Sequence, residues 1–167
     1  IMNAFFLASD FRENVEVYII FDGAHDFPVT LKLSSQEGLS FPGFDEQSIL
    51  KVITQALSKS SDLKKNQILN LSLGIDILGF GLENLIKYLM EQQRSIFILD
   101  KKGESIRELE LPENPVFLLS DHLMMPKKTL IGLKRRGLRL LSLGKKMLFA
   151  SQCVVLIQHE LDVQGFE

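Results

Sequence analysis

An alternation of short apolar runs with helical patterns is the feature that most constrains the fold of this chain. Residues 95–99, 116–119 and 138–143 are typical of buried strands, while residues 127–136 and 149–161 have helical periodicity. Strands separated by helices at this spacing form βαβ units, in which the strands run parallel. The pattern therefore predicts an α/β fold with a mostly parallel sheet and helices on both faces.

The first half of the chain has a less regular pattern. Residues 16–21 are typical of a largely buried strand, and residues 29–33 alternate cleanly, which predicts a second strand, antiparallel or loosely paired, with one face in water. Asp45 is a predicted helix N-cap, and residues 82–93 form a second amphipathic pattern. Because no repeat, low-complexity stretch or linker interrupts the chain, we expect one domain over residues 1–167.

Small or polar loops follow the apolar runs. One run empties into Ser120, Asp121 and His122, a second ends near Gly144, and residues 100–103 form a predicted turn after a third. In open α/β sheets, ligands bind outside the carboxyl ends of the strands. The loops after residues 116–119 and 138–143 are therefore the predicted ligand-binding region.

Charge is distributed unevenly along the chain, although the net charge is only −2. Residues 127–146 contain 8 Lys/Arg and no Asp/Glu, whereas residues 1–126 contain 11 against 18 and residues 147–167 none against 3. A window this basic, placed between two of the loops, points to an anionic partner. The alternative is a solvated helix face with additional loop charges.

Common cofactor and metal motifs are absent. Gly79-Phe-Gly81 lacks the third glycine and acidic partner of a dinucleotide site, no phosphate-binding P-loop is present, and the histidines and Cys153 do not have zinc-ligand spacing. Cys153 on an apolar helix is more typical of core packing than of a nucleophile. Asp121 directly after a strand is either a proton acceptor or an N-cap for the next helix.

The setting of the protein is predicted from what its sequence lacks. A single cysteine excludes an internal disulfide, and neither a long apolar run nor a signal-peptide pattern is present, so we expect a soluble protein of the reducing cytoplasm with no membrane partner. The chain opens on Ile1 within a helix-like pattern that has no capping residue before it. We therefore expect an N-terminal segment upstream of it.

Four stretches of the chain form a recognisable set: residues 4–15 (AFFLASDFRENV), 113–122 (ENPVFLLSDH), 141–144 (LSLG) and 149–162 (FASQCVVLIQHELD). Together they resemble the TrmY family of SPOUT-class tRNA pseudouridine N1-methyltransferases. The resemblance covers both ends of the chain and is looser in the middle. It implies an α/β fold with a C-terminal trefoil knot, a homodimer, S-adenosylmethionine as cofactor and tRNA as partner. The spacing of Cys153 and the histidines predicts no metal.

The resemblance also implies roles for individual residues. The cofactor loops would comprise Leu99, Ser120, Leu143, Gly144, Lys145, Lys146, Met147 and Leu148, with Cys153 lining the site from the last helix. Arg12 matches a family arginine that could bind the RNA backbone; the alternative is an ordinary surface charge. Ser120 stands where the family generally has glycine, and the helix after His122 is basic here but usually acidic in the archaeal members.

Basic residues of that helix would contact RNA phosphates, which supply affinity without sequence choice. They are Lys127, Lys128, Lys134, Arg135 and Arg136. Because the cofactor methyl is already activated, the enzyme mainly aligns the uracil N1 and handles one proton, for which Asp121 is the candidate base or orienting group. The alternatives are a SPOUT methyltransferase acting on rRNA or another base, and a protein of the same fold that binds cofactor or RNA without catalysis.

Overall fold

The computed structural model describes residues 1–23, 26–120 and 125–166, which form two compact units, Ile1–Lys87 and Tyr88–Glu167. The prediction of a single domain stays a prediction. The helices and strands assigned to the first unit are α1 (Met2–Phe5), β1 (Glu16–Phe21), β2 (Val29–Ser34), α2 (Glu46–Ser58), β3 (Ile68–Ser72), β4 (Ile75–Leu78) and the first part of α3 (Leu82–Glu91). A short 3-10 helix, Lys59–Asp62, follows α2.

The first unit is built on a four-stranded antiparallel sheet with the order β1-β2-β4-β3. The apolar side chains Ile49 and Val52 of α2 recur at helical spacing and are buried. At the start of this helix, Asp45 accepts hydrogen bonds from the backbone N–H of Ser48 (3.0 Å) and from its hydroxyl (2.7 Å). Those hydrogen bonds lower the pKa of Asp45, and the predicted N-cap is confirmed.

The expectation that β2 has one face in water is wrong. All six of its residues are buried, including Thr30 and Lys32 on the predicted wet face. Pairing on both sides makes β2 a central strand. Two of its buried polar side chains have partners: the Thr30 hydroxyl donates to the Phe80 carbonyl at 2.8 Å, and Lys32 is surrounded by carboxylates. The buried Ser34 hydroxyl has no hydrogen-bond partner among the described residues.

The second unit contains a three-stranded parallel sheet with the order β6-β5-β7. The elements assigned to it after α3 are β5 (Ser95–Ser105), β6 (Pro115–Leu118), α4 (Lys127–Arg135), β7 (Arg139–Ser142) and α5 (Ala150–Val163). The side chain of Ile157 from α5 packs with Phe97 and Leu141 of the sheet in one buried cluster. The prediction of a parallel sheet is therefore confirmed for this unit. The four strands of the first unit pair antiparallel, so the chain as described is not mostly parallel.

The predicted turn over residues 100–103 does not end a strand. Leu99 and Glu104 both pair with Leu141, so the chain leaves the ladder for four residues and then returns to β7 within β5. Within these four residues, the N–H of Lys102 donates to the Asp100 carboxylate at 2.8 Å, which stabilises a local turn. The segment after β5 begins with a turn at residues 106–108.

Candidate functional site

Loops follow the carboxyl ends of β6 and β7, and the excursion over residues 100–103 leaves β5 beside them. Ile98 of β5 is in register with Leu118 of β6, and Leu99 is in register with Leu141 of β7. Because parallel strands end at the same edge of a sheet, the loops that follow these residues leave from one edge, which we call the carboxyl edge. The two strand ends chosen from hydrophobic pattern alone, those of β6 and β7, therefore lie on either side of β5 at this edge. Leu99, which the family resemblance added, lies on β5 between them.

The loop after β7 has a defined local geometry. The backbone N–H of Gly144 donates to the hydroxyl of Ser142 at 3.1 Å, and Gly144 has a φ of +126°, a conformation that favours glycine. No atom lies within 4 Å of the position that a Cβ on Gly144 would take. The loop thus has open space beside a backbone that only glycine adopts without strain.

Apolar residues lie in this loop and in the neighbouring strand. Leu99 and Leu143 are half-buried and pack against the cluster of Phe97, Leu141 and Ile157, whereas the side chain of Met147 is 79% exposed. Lys145 and Lys146 are exposed, and Leu148 is half-buried. Half-buried apolar side chains beside accessible backbone groups suit a flat organic ligand with a few polar atoms.

The last helix begins next to this loop. The N–H of Phe149 donates to the side-chain oxygen of Gln152 at 3.0 Å, which satisfies one backbone group at the start of α5. Cys153, in the first turn, is half-buried, and burial raises the pKa of its thiol. A neutral thiol fits the predicted role of lining a site better than that of a nucleophile.

Other predicted site residues lie elsewhere or outside the described part of the chain. Ser120 is exposed, two residues after the end of β6, while Asp121, the predicted catalytic residue, and His122 lie outside the described residues. The predicted RNA-binding residues along and after α4 are all exposed: Lys127, Lys128, Lys134, Arg135 and Arg136. Arg12 belongs to the first unit, where its backbone N–H donates to the carbonyl of Phe5 at 2.8 Å.

The sequence prediction missed the return of β5 to β7. The one signal for it is Gly103, because an isolated glycine in a strand pattern often marks a bulge or a close backbone approach. A Cβ at Gly103 would lie 2.5 Å from the backbone nitrogen of Leu141. This close approach joins the excursion after Leu99 to the strand that carries the Gly144 loop.

Within residues 1–23, 26–120 and 125–166, no three His, Cys, Asp or Glu side chains are grouped so that they could hold a metal ion. No helix in the same part of the chain is long and apolar enough to cross a membrane.

Comparisons with known proteins agree on one family. The model of a family described as "Putative SAM-dependent RNA methyltransferase" matches residues 1–166. A Vibrio atlanticus protein named "Putative pseudouridine methyltransferase" is 43% identical over 99% of this chain and 83% of its own length, and a Photobacterium profundum protein with the same name is 44% identical over 98% and 82%.

Among solved structures, the chain resembles Archaeoglobus fulgidus Nep1 bound to S-adenosylhomocysteine, with a TM-score of 0.55 and 13% identity. The similarity covers 81% of this chain and 57% of that one. At this identity, the likeness concerns the fold.

Proposed function

Since the chain belongs to the SAM-dependent RNA methyltransferase family, we propose that it methylates N1 of a pseudouridine in tRNA. The predicted membership of the TrmY-like, SPOUT-class enzymes is confirmed by the family match and by relatives that align over nearly the whole chain. The chain is accordingly an S-adenosylmethionine-dependent RNA methyltransferase. The position on the base and the choice of tRNA are our proposal.

The observation that supports the cofactor site is that the ends of β6 and β7 and the excursion after Leu99 of β5 lie together at the carboxyl edge. The proposed cofactor-binding residues follow those ends: Leu99, Ser120, Leu143, Gly144, Lys145, Lys146, Met147, Leu148 and Cys153. Leu99, Leu143 and Leu148 would contact the apolar surface of the nucleoside, and loop backbone groups would hydrogen-bond its polar atoms. The open space beside Gly144 supports this assignment, because a side chain there would compete with the ligand.

In the proposed mechanism, the protein forms no covalent bond with the substrate and mainly positions the reacting groups. S-adenosylmethionine supplies an activated methyl group when bound. The protein aligns the base nitrogen with that methyl, and the Asp121 carboxylate accepts or orients the N1 proton of the uracil ring. The base must leave its stack to be reached, so basic side chains would hold the flanking phosphates. We assign that role to Arg12, Lys127, Lys128, Lys134, Arg135 and Arg136.

We also propose that the second unit carries the trefoil knot of SPOUT proteins and that the enzyme is a cytoplasmic homodimer. The family resemblance supports the knot and the dimer, and the single cysteine supports the reducing compartment. Sedimentation of the protein would measure the oligomeric state directly.

Replacing Gly144 by valine should weaken S-adenosylmethionine binding about tenfold or more. A β-branched residue at a φ of +126° would cost about 1 to 3 kcal/mol of strain or force the loop into a different conformation. Isothermal titration calorimetry measures the affinity. Gly165→Val is the matched control, because Gly165 is exposed, also has a positive φ (+81°) and no atom within 4 Å of a Cβ position, but lies outside the proposed site. Equal affinity in both variants would remove the Gly144 loop from the cofactor site.

Replacing Asp121 by alanine should lower the rate of methyl transfer about a hundredfold or more, while S-adenosylmethionine still binds, because general acid–base groups typically contribute that much. Mass spectrometry of tRNA nucleosides, with and without the enzyme, measures the product and its position. Unchanged turnover would exclude Asp121 from the mechanism. Methyl transfer to rRNA or to another base would exclude the tRNA proposal. If the protein did not bind S-adenosylmethionine at millimolar concentration, the enzyme assignment would be contradicted.

A further inference from the structure

A cavity of about 570 Å³ lies at the opposite edge of the parallel sheet from the proposed cofactor loops. Its wall includes residues from the connections that enter the three strands: Arg94 precedes β5, Pro112 precedes β6, and Arg136 precedes β7. Connections that precede parallel strands lie at the amino edge, so this cavity is distinct from the carboxyl edge.

The cavity wall is rich in arginine. Arg94, Arg136 and Arg139 contribute to it, against one carboxylate, Glu110. The side chains of Ile96 and Leu138, both buried, form part of the wall as well. Positive charge in a concave surface with apolar walls focuses the electrostatic field and concentrates anions there.

Arg139 is held in place by two contacts. Its Nη2 lies 2.7 Å from Oε2 of Glu104, and its guanidinium carbon lies 5.7 Å from the centre of the Phe97 ring, within cation–π range. Both contacts restrict the rotamers of a long side chain, so less conformational entropy is lost when the guanidinium binds a ligand. The pair with Glu104 is formed through Nη2, so a phosphate can bind other N–H groups of the guanidinium while the pair stays in place.

We infer that this arginine cavity binds the phosphodiester backbone of the RNA substrate, with Arg94 and Arg139 as contacts additional to those assigned above. The inference rests on the proposed function. Guanidinium groups bind phosphate oxygens in bidentate geometry, and such contacts position RNA without reading its sequence. Residues 95–99 of β5 separate the two edges by roughly 13 Å at about 3.3 Å per residue. The cavity therefore holds nucleotides that flank the target base rather than the target itself.

The test is the salt dependence of RNA affinity, measured by fluorescence anisotropy with a labelled single-stranded RNA. The double variant Arg94→Gln/Arg139→Gln should bind at least about tenfold more weakly. The slope of log affinity against log salt should become shallower by about 1.4, since each phosphate contact on a single strand contributes about 0.7. An RNA of shuffled sequence should lose affinity by the same factor, because phosphate contacts carry no sequence information.

Two further variants separate this effect from loss of folding or of net charge. Lys64→Gln/Lys65→Gln removes the same charge from exposed positions outside the cavity and should leave the slope unchanged. Glu110→Gln removes the carboxylate from the cavity wall and should tighten RNA binding several-fold, a gain that misfolding cannot mimic.

The outcomes distinguish this site from the proposed function. An unchanged slope and affinity in Arg94→Gln/Arg139→Gln, with a wild-type enzyme that methylates RNA, would overturn the cavity assignment alone. A wild-type protein that binds S-adenosylmethionine but methylates no RNA would overturn the proposed function and this site together.

Discussion

Replacing Gly103 by alanine is expected to lower the free energy of unfolding by about 3 kcal/mol and to weaken S-adenosylmethionine binding at least about tenfold. A Cβ at this position would lie 2.5 Å from the nitrogen of Leu141 and 2.6 Å from the carbonyl carbons of Leu140 and Leu141. These are backbone atoms of a paired strand, so they cannot move away without breaking the ladder between β5 and β7. Urea denaturation and calorimetry measure the two effects.

The loss of cofactor affinity is expected because the clash lies between two of the proposed cofactor loops. Residues 100–103 leave and rejoin the ladder opposite Leu141, and β7 ends one residue later at Ser142, whose hydroxyl accepts from Gly144. Forcing β5 away from β7 would displace Leu99 and the Gly144 loop relative to each other. A ligand that contacts both would lose contacts to one of them.

Gly132→Ala is the control for this prediction. Gly132 lies within α4, has no atom within 4 Å of a Cβ position and does not have a positive φ. Alanine there should therefore raise the free energy of unfolding by about 0.5 to 1 kcal/mol. If Gly103→Ala unfolded at the wild-type urea concentration and bound cofactor normally, β5 and β7 would not be in the close contact described above.

Local sequence signals were sufficient to predict the helix cap and the strand in which they occur. Asp45 precedes a helical apolar pattern and is the N-cap of α2, and the apolar run that predicted a strand over residues 95–99 forms the first part of β5. A cap and a periodicity are properties of consecutive residues, so they can be recognised without knowing the fold. The carboxyl-edge loops were predicted for the same reason, because each directly follows an apolar run.

Features that depend on distant partners could not be predicted in this way. β3 was missed because Ile68–Ser72 is an edge strand whose residues are mostly exposed, and its register is set by β4. The arginine cavity joins Arg94 to Arg139 through strand order, which no local pattern specifies. Lys32 was placed in water because strand alternation gives the face of a residue but not what covers that face.

Lys32 lies at the centre of a buried ion network in the first unit. Its Nζ is 2.5 Å from Oε1 of Glu37, 3.5 Å from Oε1 of Glu16 and 3.6 Å from Oδ2 of Asp76, and its own side chain is only 9% exposed. Asp76 also accepts a hydrogen bond from Asn70 at 2.7 Å. Removing the lysine would leave at least two largely buried carboxylates without their cation.

Replacing Lys32 by methionine, which has a similar length, should therefore lower the free energy of unfolding at neutral pH by about 3 kcal/mol. This is the lower end of the range for breaking a buried pair, because Glu37 is half-exposed and keeps part of its hydration. Urea denaturation is the measurement. Lys51→Met, at an exposed position of α2, is the matched control and should change the free energy of unfolding by no more than about 0.5 kcal/mol.

The pH dependence gives the Lys32 prediction a distinct signature. Burial lowers the pKa of Lys32, but the hydrogen bond with Glu37 and the charges of Glu16 and Asp76 outweigh it and raise the pKa overall. A raised folded-state pKa gives stability that is present below the unfolded value of about 10.4 and is lost as the pH rises through the folded-state pKa. The stability difference between wild type and Lys32→Met should therefore narrow in strongly alkaline solution and stay constant between neutral pH and about pH 9.

A second substitution tests whether the cost arises from uncompensated charge rather than from packing. Asp76→Asn in the Lys32→Met background removes one of the stranded carboxylates while keeping its shape and one acceptor for Asn70, so it should recover part of the lost stability. In the wild-type background, the same change should destabilise, because it removes a partner of Lys32. Opposite signs in the two backgrounds require electrostatic coupling between residues 32 and 76. Additive effects would mean that the network of β2 contributes through packing alone.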